Sequence, residues 1–203
     1  QNIINNKKYK TLRLKSGYKE IRNHVLNSFK EQRKIVVIAG STGTGKTTII
    51  NKMKEKGHNI IDLEKLANHR GSAFGDLGIT KQVSQQQFEN DLSYFWSQTA
   101  PKKDVFIESE SRKIGKVSIP SDIWEQMQKG LYLKIDMDID RRVENLINDY
   151  GDYSKFDLET RIQQISRKLG GQNVKIALEY LESNSLHTLC KFLLENYYDK
   201  MYR

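Results

Sequence analysis

The sequence has a single cysteine, Cys190, in 203 residues. No internal disulfide can form, which fits a reducing compartment. Cys190 stands among Leu186, Leu189 and Leu193, a neighbourhood suited to packing more than to chemistry. No run of about 18 apolar residues is present to cross a bilayer, and no apolar signal region is visible. No membrane partner is expected, and the expected location is cytoplasmic. There is no internal repeat and no low-complexity tract beyond Gln85-Gln86-Gln87. Acidic residues are scarce in one place. Residues 1–34 hold ten basic side chains against two acidic ones, Glu20 and Glu31, and so carry nearly all of the formal charge of +9. Such a balance favours a polyanionic partner such as nucleic acid, although a merely solvated basic face explains it as well. The length suits one domain, or one with a small appendage.

What is present is organised around Gly40-Ser41-Thr42-Gly43-Thr44-Gly45-Lys46-Thr47, which fits the phosphate-binding pattern G-x-x-x-x-G-K-[ST]. A β-branched run, Lys34 to Ala39, precedes it as a buried strand. A helix from Thr48 to Lys56 follows, with Gly57 placed to end it. In such a loop successive N–H groups face an anion, and the helix N-terminus adds positive potential. Gly40 through Thr48 are therefore the candidate phosphate ligands. Lys46 is expected to reach the terminal phosphates, and Thr47 is expected to help hold Mg²⁺. ATP or GTP is the ordinary occupant of such a loop.

Along the chain, residues 1–16 read as a basic arm or linker and Tyr18 to Gln32 as a helix. Asn59 to Leu63 reads as a second strand, Asp104 to Glu108 as a third and Leu131 to Met137 as a fourth. Ser84 and Gln87 form a capping box that opens a helix carrying Phe88, Leu92, Phe95 and Trp96. Pro120 and Ser121 start another. From residue 139 the pattern is helical only: Arg142 to Tyr150, Asp157 to Leu169, Val174 to Leu181 and Leu186 to Tyr202. Strands alternating with helices predict an α/β fold, a P-loop NTPase-like parallel sheet flanked by helices over 17–138, with an all-helical C-terminal extension over 139–203. Ligands of such sheets sit beyond the carboxyl ends of the strands. Three loops, 40–47, 68–75 and 109–115, should converge there.

Those loops supply the other candidates. Glu108 ends the third strand where an acidic residue can hold Mg²⁺ directly or through water, with Asp62 and Glu64 as competitors. Arg70 is a natural phosphate clamp. His69 and Ser72 share its loop, and Glu110, Ser111, Arg112 and Lys113 share the next. Arg141 and Arg142 follow the fourth strand as lid or finger arginines do in phosphoryl transfer, or stand solvated. Tyr197, Tyr198, Lys200, Tyr202 and Arg203 suit nucleic-acid stacking and phosphate contact, or simple packing.

In combination the loops resemble the P-loop domain of tRNA 2-selenouridine synthases. The resemblance rests on Gly17-Tyr18-Lys19, the phosphate loop, Asp62-Leu63-Glu64, His69 to Gly75 (HRGSAFG), Glu108 to Gly115 (ESESRKIG), Leu169-Gly170-Gly171 and Tyr197-Tyr198-Asp199, in that order. It implies a tRNA-modifying transferase that places a geranyl group from geranyl diphosphate on the sulfur of wobble 2-thiouridine. Selenium then arrives from selenophosphate as the geranylthio group leaves. It implies a diphosphate as the loop's ligand, with Lys46, Arg70 and Arg112 acting on it. His69, Arg70, Ser72, Glu110, Ser111, Arg112 and Lys113 would line the substrate site. It implies as partners tRNA and a rhodanese-like domain or chain bearing a catalytic cysteine, which this sequence lacks; the sequence then reads as a fragment or as one member of a two-chain enzyme. Two other readings stay open: a small-molecule or nucleotide kinase of the same fold, and a non-catalytic tRNA-binding module.

Removing residues 1–16 takes away Lys7, Lys8, Lys10, Arg13 and Lys15. Filter binding of tRNA across a salt series is expected to show weaker affinity and a shallower slope, by about one unit for each phosphate that the arm neutralises. An unchanged slope means that the arm does not touch the backbone.

Overall fold

The computed structural model describes residues 15–75, 77–79, 81–99 and 103–201. Most of the expected basic arm, together with Tyr202 and Arg203, lies outside the described residues; Lys15 and Ser16 are exposed just ahead of the first helix. Four strands, β1 (Lys34–Gly40), β2 (Asn59–Ile61), β3 (Asp104–Glu108) and β6 (Leu131–Ile135), make a sheet of order β2-β3-β1-β6 in which every pair is parallel. A two-stranded antiparallel hairpin, β4 (Lys113–Ile114) and β5 (Val117–Ser118), stands apart. The expected parallel α/β sheet with a helical C-terminus is what the chain forms.

Alternation along β1 assigns its two faces. Ile35 and Val37 enter a core with α1 (Tyr18–Ser28), α4 (Gln85–Gln98) and α5 (Ser121–Lys129), centred on Phe29, Phe88, Trp96 and Met127. Val36 and Ile38 are buried on the opposite face, where α2 (Lys46–Glu55) lies against the sheet through Ile50. Helix α3 (Leu63–Ala67) closes the end of β2. A second core belongs to the C-terminal helices α6 (Ile139–Tyr150), α7 (Lys155–Gln164), α8 (Ser166–Leu169), α9 (Gly171–Glu182) and α10 (Leu186–Leu193). A single π-helical turn (Leu194–Tyr198) and α11 (Asp199–Met201) complete it.

Several boundaries differ from the sequence reading, each for a visible reason. Helix α1 stops at Ser28 instead of Gln32, because Phe29 turns wholly into the core. The Gln126 side chain then takes up the loosened backbone, donating to Phe29 O at 2.9 Å and accepting from Arg33 N at 3.0 Å. Strand β2 ends at Ile61 because Asp62 caps α3, accepting from Lys65 N at 2.8 Å. The Ser84 half of the capping box forms, with Gln87 N donating at 3.2 Å, but the Gln87 side chain turns to Asp91 instead of returning to the cap. The helix expected over 157–169 breaks at Ile165, and the last helix passes through the π turn. Strand β6 reads as apolar yet lies at the sheet edge, with Leu131 69% and Leu133 50% exposed.

Ile107 is fully buried in β3. Replacing it by Ala is expected to lower unfolding free energy by about 2–5 kcal/mol, whereas Leu133→Ala at the exposed edge should stay within about 0.5 kcal/mol. Urea denaturation of both variants measures the difference.

Candidate active site

The site begins where β1 ends. The β1–β3 register pairs Ile38 with Glu108, and the β1–β6 register pairs Gly40 with Ile135. The phosphate loop therefore leaves from the middle of the sheet, with Glu108 level with the last buried residue beneath it. Gly43 (φ 83) and Gly45 (φ 72) take left-handed backbone that a side chain resists. The buried Thr44 donates through Oγ1 to Ser41 O at 2.8 Å and ties the loop to itself. Helix α2 starts at Lys46 with no side-chain cap, so its first-turn N–H groups stay available to an anion. The Lys46 ammonium donates to Gly40 O at 2.8 Å.

Helix α6 backs the loop from outside. Asn145 Nδ2 donates to Gly43 O and Arg142 Nε to Thr42 O, both at 2.8 Å. A Cβ on Gly43 would come within 2.8 Å of Arg142 O, so this position must be glycine for α6 to lie so close. Arg142 is buried and bidentate, its two terminal nitrogens donating to Asp199 at 3.0 and 2.6 Å. It is neither a solvated arginine nor a mobile finger. Arg141 is the exposed one, pairing loosely with Asp138 at 3.5 Å.

Helix α3 brings Glu64 to the crevice, and the second loop brings Arg70 and Ser72. Glu64, on α3, accepts from Gly71 N–H. A Cβ on Gly71 would fall on the Glu110 carboxylate and require that side chain to move. The Arg70 guanidinium lies 5.3 Å from the centre of the Tyr150 ring, and burial raises the Tyr150 hydroxyl's pKa against the smaller, lowering effects of Ser72 and Arg70. His69 turns the other way. Its ring packs toward Gly115, and its Nδ1 is buried without a partner.

The third loop divides. Glu110 joins the crevice. Ser111, Arg112 and Lys113 are exposed and leave it, because Ile114 and Val117 are fully buried in the sheet core and fold the segment into the β4–β5 hairpin. Arg112 donates to Ser121 Oγ at 2.8 Å and borders a different cavity beside α1; Ser111 Oγ donates to Lys113 O at 2.6 Å. Of the candidates read from the sequence, the crevice thus gathers Thr42 to Thr48, Arg70, Ser72, Glu108 and Glu110. Gly40 and Ser41 border an adjoining cavity with Lys46 and Glu110, and His69, Ser111, Arg112 and Lys113 stand elsewhere. Asn51, Asp149 and Tyr150 line the crevice without having been singled out, and Glu64 has a fuller place than a competitor's. Position just before Gly151, at the end of an amphipathic helix, is the only signal Tyr150 carried.

Oxygens of Glu64, Glu108 and Glu110 lie within 4.8 Å of one another. Burial, then the Glu64 and Glu110 charges, pushes the Glu108 carboxyl up to about 9 against the pull of Lys46. Burial and Glu64 push Glu110 to about 8, and burial also raises Glu64. Glu108 Oε2 is buried with no hydrogen-bond partner. An all-oxygen donor set with one unsatisfied buried oxygen suits a hard divalent cation such as Mg²⁺.

A second cavity shares a wall with the crevice. Thr42, Ser72, Leu146 and Tyr150 border both. Beyond them it is lined by Phe74, Leu158, Leu186, Leu189, Leu193 and Tyr198, and by Cys190, whose thiol burial pushes up to about 11. A polar crevice and an apolar surface are thus adjacent.

The family model for the tRNA 2-selenouridine synthase AAA domain matches residues 33–203. The tRNA 2-selenouridine synthase of Sulfurovum sp. (strain NBC37-1) is 32% identical over 223 aligned positions, covering 94% of this chain and 60% of that protein. That of Shewanella frigidimarina (strain NCIMB 400) is 31% identical, covering 93% and 59%. That of Nitrosomonas europaea is 37% identical over 140 positions, covering 66% and 36%. The chain spans about 60% of the length of the first two relatives. Among solved structures, AMPPCP-bound DnaA from Aquifex aeolicus matches 83% of this chain at 15% identity with a TM-score of 0.30.

The raised carboxyls fix a sign for stability against pH. The folded state holds protons on Glu108 up to about 9 and on Glu110 up to about 8, whereas the unfolded chain releases them near 4.3. Their contribution is present below the unfolded value and is lost as pH rises through the folded ones. The melting temperature is expected to fall between pH 5 and pH 9, and Glu108→Gln should flatten that fall. A flat wild-type profile in calorimetry refutes the assignment.

Proposed function

Because the chain belongs to the tRNA 2-selenouridine synthase AAA-domain family, we propose that it is the phosphate-loop half of a tRNA-modifying transferase, binding geranyl diphosphate for the geranylation that precedes selenation of wobble 2-thiouridine. The observation that carries the choice of ligand is the shared wall between the two cavities. A diphosphate on the loop leaves its organic end beside Thr42, Ser72 and Tyr150. The wall beyond is apolar, which suits a prenyl chain better than the polar sugar of a nucleotide; the cavity's free volume is about 50 Å³, so a ten-carbon chain enters only as the surrounding side chains give way.

The reaction is a displacement at the allylic carbon. The 2-thiouridine sulfur forms a bond to that carbon as the C–O bond breaks, and the electron pair leaves on the diphosphate. The Lys46 ammonium, the N–H groups of the loop and the Arg70 guanidinium neutralise the developing charge, and their worth lies in being fixed before the bond breaks. Arg70 is held toward the crevice by Tyr150. The protonated Glu108 and Glu110 spare the leaving group two negative charges. Bound Mg²⁺ would take the place of those protons, offsetting the carboxylates and drawing the diphosphate oxygens to itself; Thr47 and Glu108, with Glu64 and Glu110, are the residues that would hold it. Arg112 has no part in this step from where it stands.

In the later step selenophosphate supplies selenium and the geranylthio group departs. That step falls to the rhodanese-like domain or chain with its reactive cysteine, since a thiol pushed to about 11, like that of Cys190, is a poor nucleophile at neutral pH. The tRNA approaches the mouth of the crevice, and the site works in the cytoplasm.

Calorimetric titration is expected to show geranyl diphosphate binding more tightly than ATP or GTP. Lys46→Ala should cost the geranylation step about 2–4 kcal/mol, as loss of one preorganised electrostatic donor does elsewhere. Cys190→Trp, filling the apolar room, should weaken geranyl diphosphate while sparing inorganic diphosphate. Rapid ATP turnover indifferent to geranyl diphosphate establishes the kinase instead. Normal tRNA binding by Lys46→Ala with no diphosphate affinity in the wild type establishes a non-catalytic module. Nucleoside mass analysis after geranyl diphosphate, then selenophosphate, separates the two steps. Selenouridine made by this chain alone overturns the division between halves.

A further inference from the structure

Asp199, near the end of the chain, has no part in that reaction, yet it meets the site through one side chain. A loop whose N–H groups face an anion must point its carbonyls the other way, and each carbonyl turned into protein needs a donor. Two successive carbonyls have one: Arg142 Nε serves Thr42 O and Asn145 Nδ2 serves Gly43 O. Asn145 is neutral and needs nothing further. Arg142 is a buried cation, 7% exposed, and a guanidinium so placed stays only where its charge and remaining N–H groups are met. Asp199 meets them with both oxygens, at 3.0 and 2.6 Å.

We propose that Asp199 is a positioning residue for the phosphate loop, acting through Arg142 to hold the Thr42 carbonyl outward and the loop in its anion-receptive shape. The π turn gives this reach. It places Tyr198 in the wall of the apolar cavity and Asp199 against Arg142 one residue later. The wall that would receive the organic part of a ligand and the brace of the loop that would receive its phosphates are therefore neighbouring residues. The importance of the brace for the ligand rests on the diphosphate reading; the brace itself does not.

Asp199→Asn keeps the shape of the side chain and removes its charge. Hydrogen exchange on the ligand-free chain is expected to quicken about tenfold at the amides of residues 42–46 and to stay unchanged in β1 and β3. The dissociation constant for inorganic diphosphate should rise about tenfold. Asp199→Glu should recover part of both. Arg142→Lys, which keeps charge but loses the fork, should match Asp199→Asn, and the double variant should be no worse than either, as one shared interaction demands. Unchanged loop exchange in Asp199→Asn, or an equal rise across β1 and β3, overturns the proposal; if that variant does not fold, Arg142→Lys decides on the same readout. A wild type that binds no diphosphate, with loop exchange still quickened in Asp199→Asn, leaves the brace standing and removes the diphosphate reading.

Discussion

The position of β1 governs the site. It is an interior strand, paired on one side with β3 and on the other with β6, and its two faces are buried in different company. A strand fixed on four sides delivers Gly40 to one place. The phosphate loop can then spend its glycines on unusual backbone angles without losing its bearings. The same pairing sets Glu108 level with Ile38 and so puts a carboxyl beneath an anion site. Loop and carboxyl are not separately placed; one register places both.

That juxtaposition would be self-defeating if every group carried its usual charge. Glu64, Glu108 and Glu110 crowd together near Lys46, and three carboxylates there would repel any anion brought to the loop. Burial eases the conflict by holding protons on Glu108 and Glu110: at neutral pH the carboxyls near 9 and 8 are largely uncharged. The helix N-terminus and the ammonium then dominate the local field. A divalent cation held by these carboxylates would resolve the conflict in the opposite way, by displacing the protons and offsetting the charge.

Features set by local sequence were legible beforehand. The phosphate loop is one, because its geometry depends on glycines and a helix start within a few residues. The β3 span is another, because a short apolar run between polar flanks has few alternatives. What depended on distant partners was hidden. Ser111, Arg112 and Lys113 looked like part of the crevice, but the burial of Ile114 and Val117 turned them out of it. Arg142 looked like a solvated or mobile arginine, and nothing near it announces Asp199. Leu131 and Leu133 were read only as part of an apolar strand; strand order put that strand at the sheet's edge, and strand order is not written in a strand's own residues. Tyr150 was invisible because its role is to bridge Arg70 and Ser72, and no pattern in its own helix encodes that.

The two hydrophobic cores also differ in how far apart along the chain their members lie. In the C-terminal core, α7, α8, α9 and α10 pack against near neighbours in sequence. In the sheet, Lys34 must wait for Asp104, and Val36 for Leu131. Closing long loops costs entropy before any contact rewards it, so local assemblies form fast and such sheets slowly. On a ribosome β1 remains unpaired until β3 is made. The helical half, made after the sheet, needs the least searching once it appears. The phosphate loop, joined to the sheet at Gly40 and braced by α6, reaches its final shape only when the slow half and the fast half have both arrived.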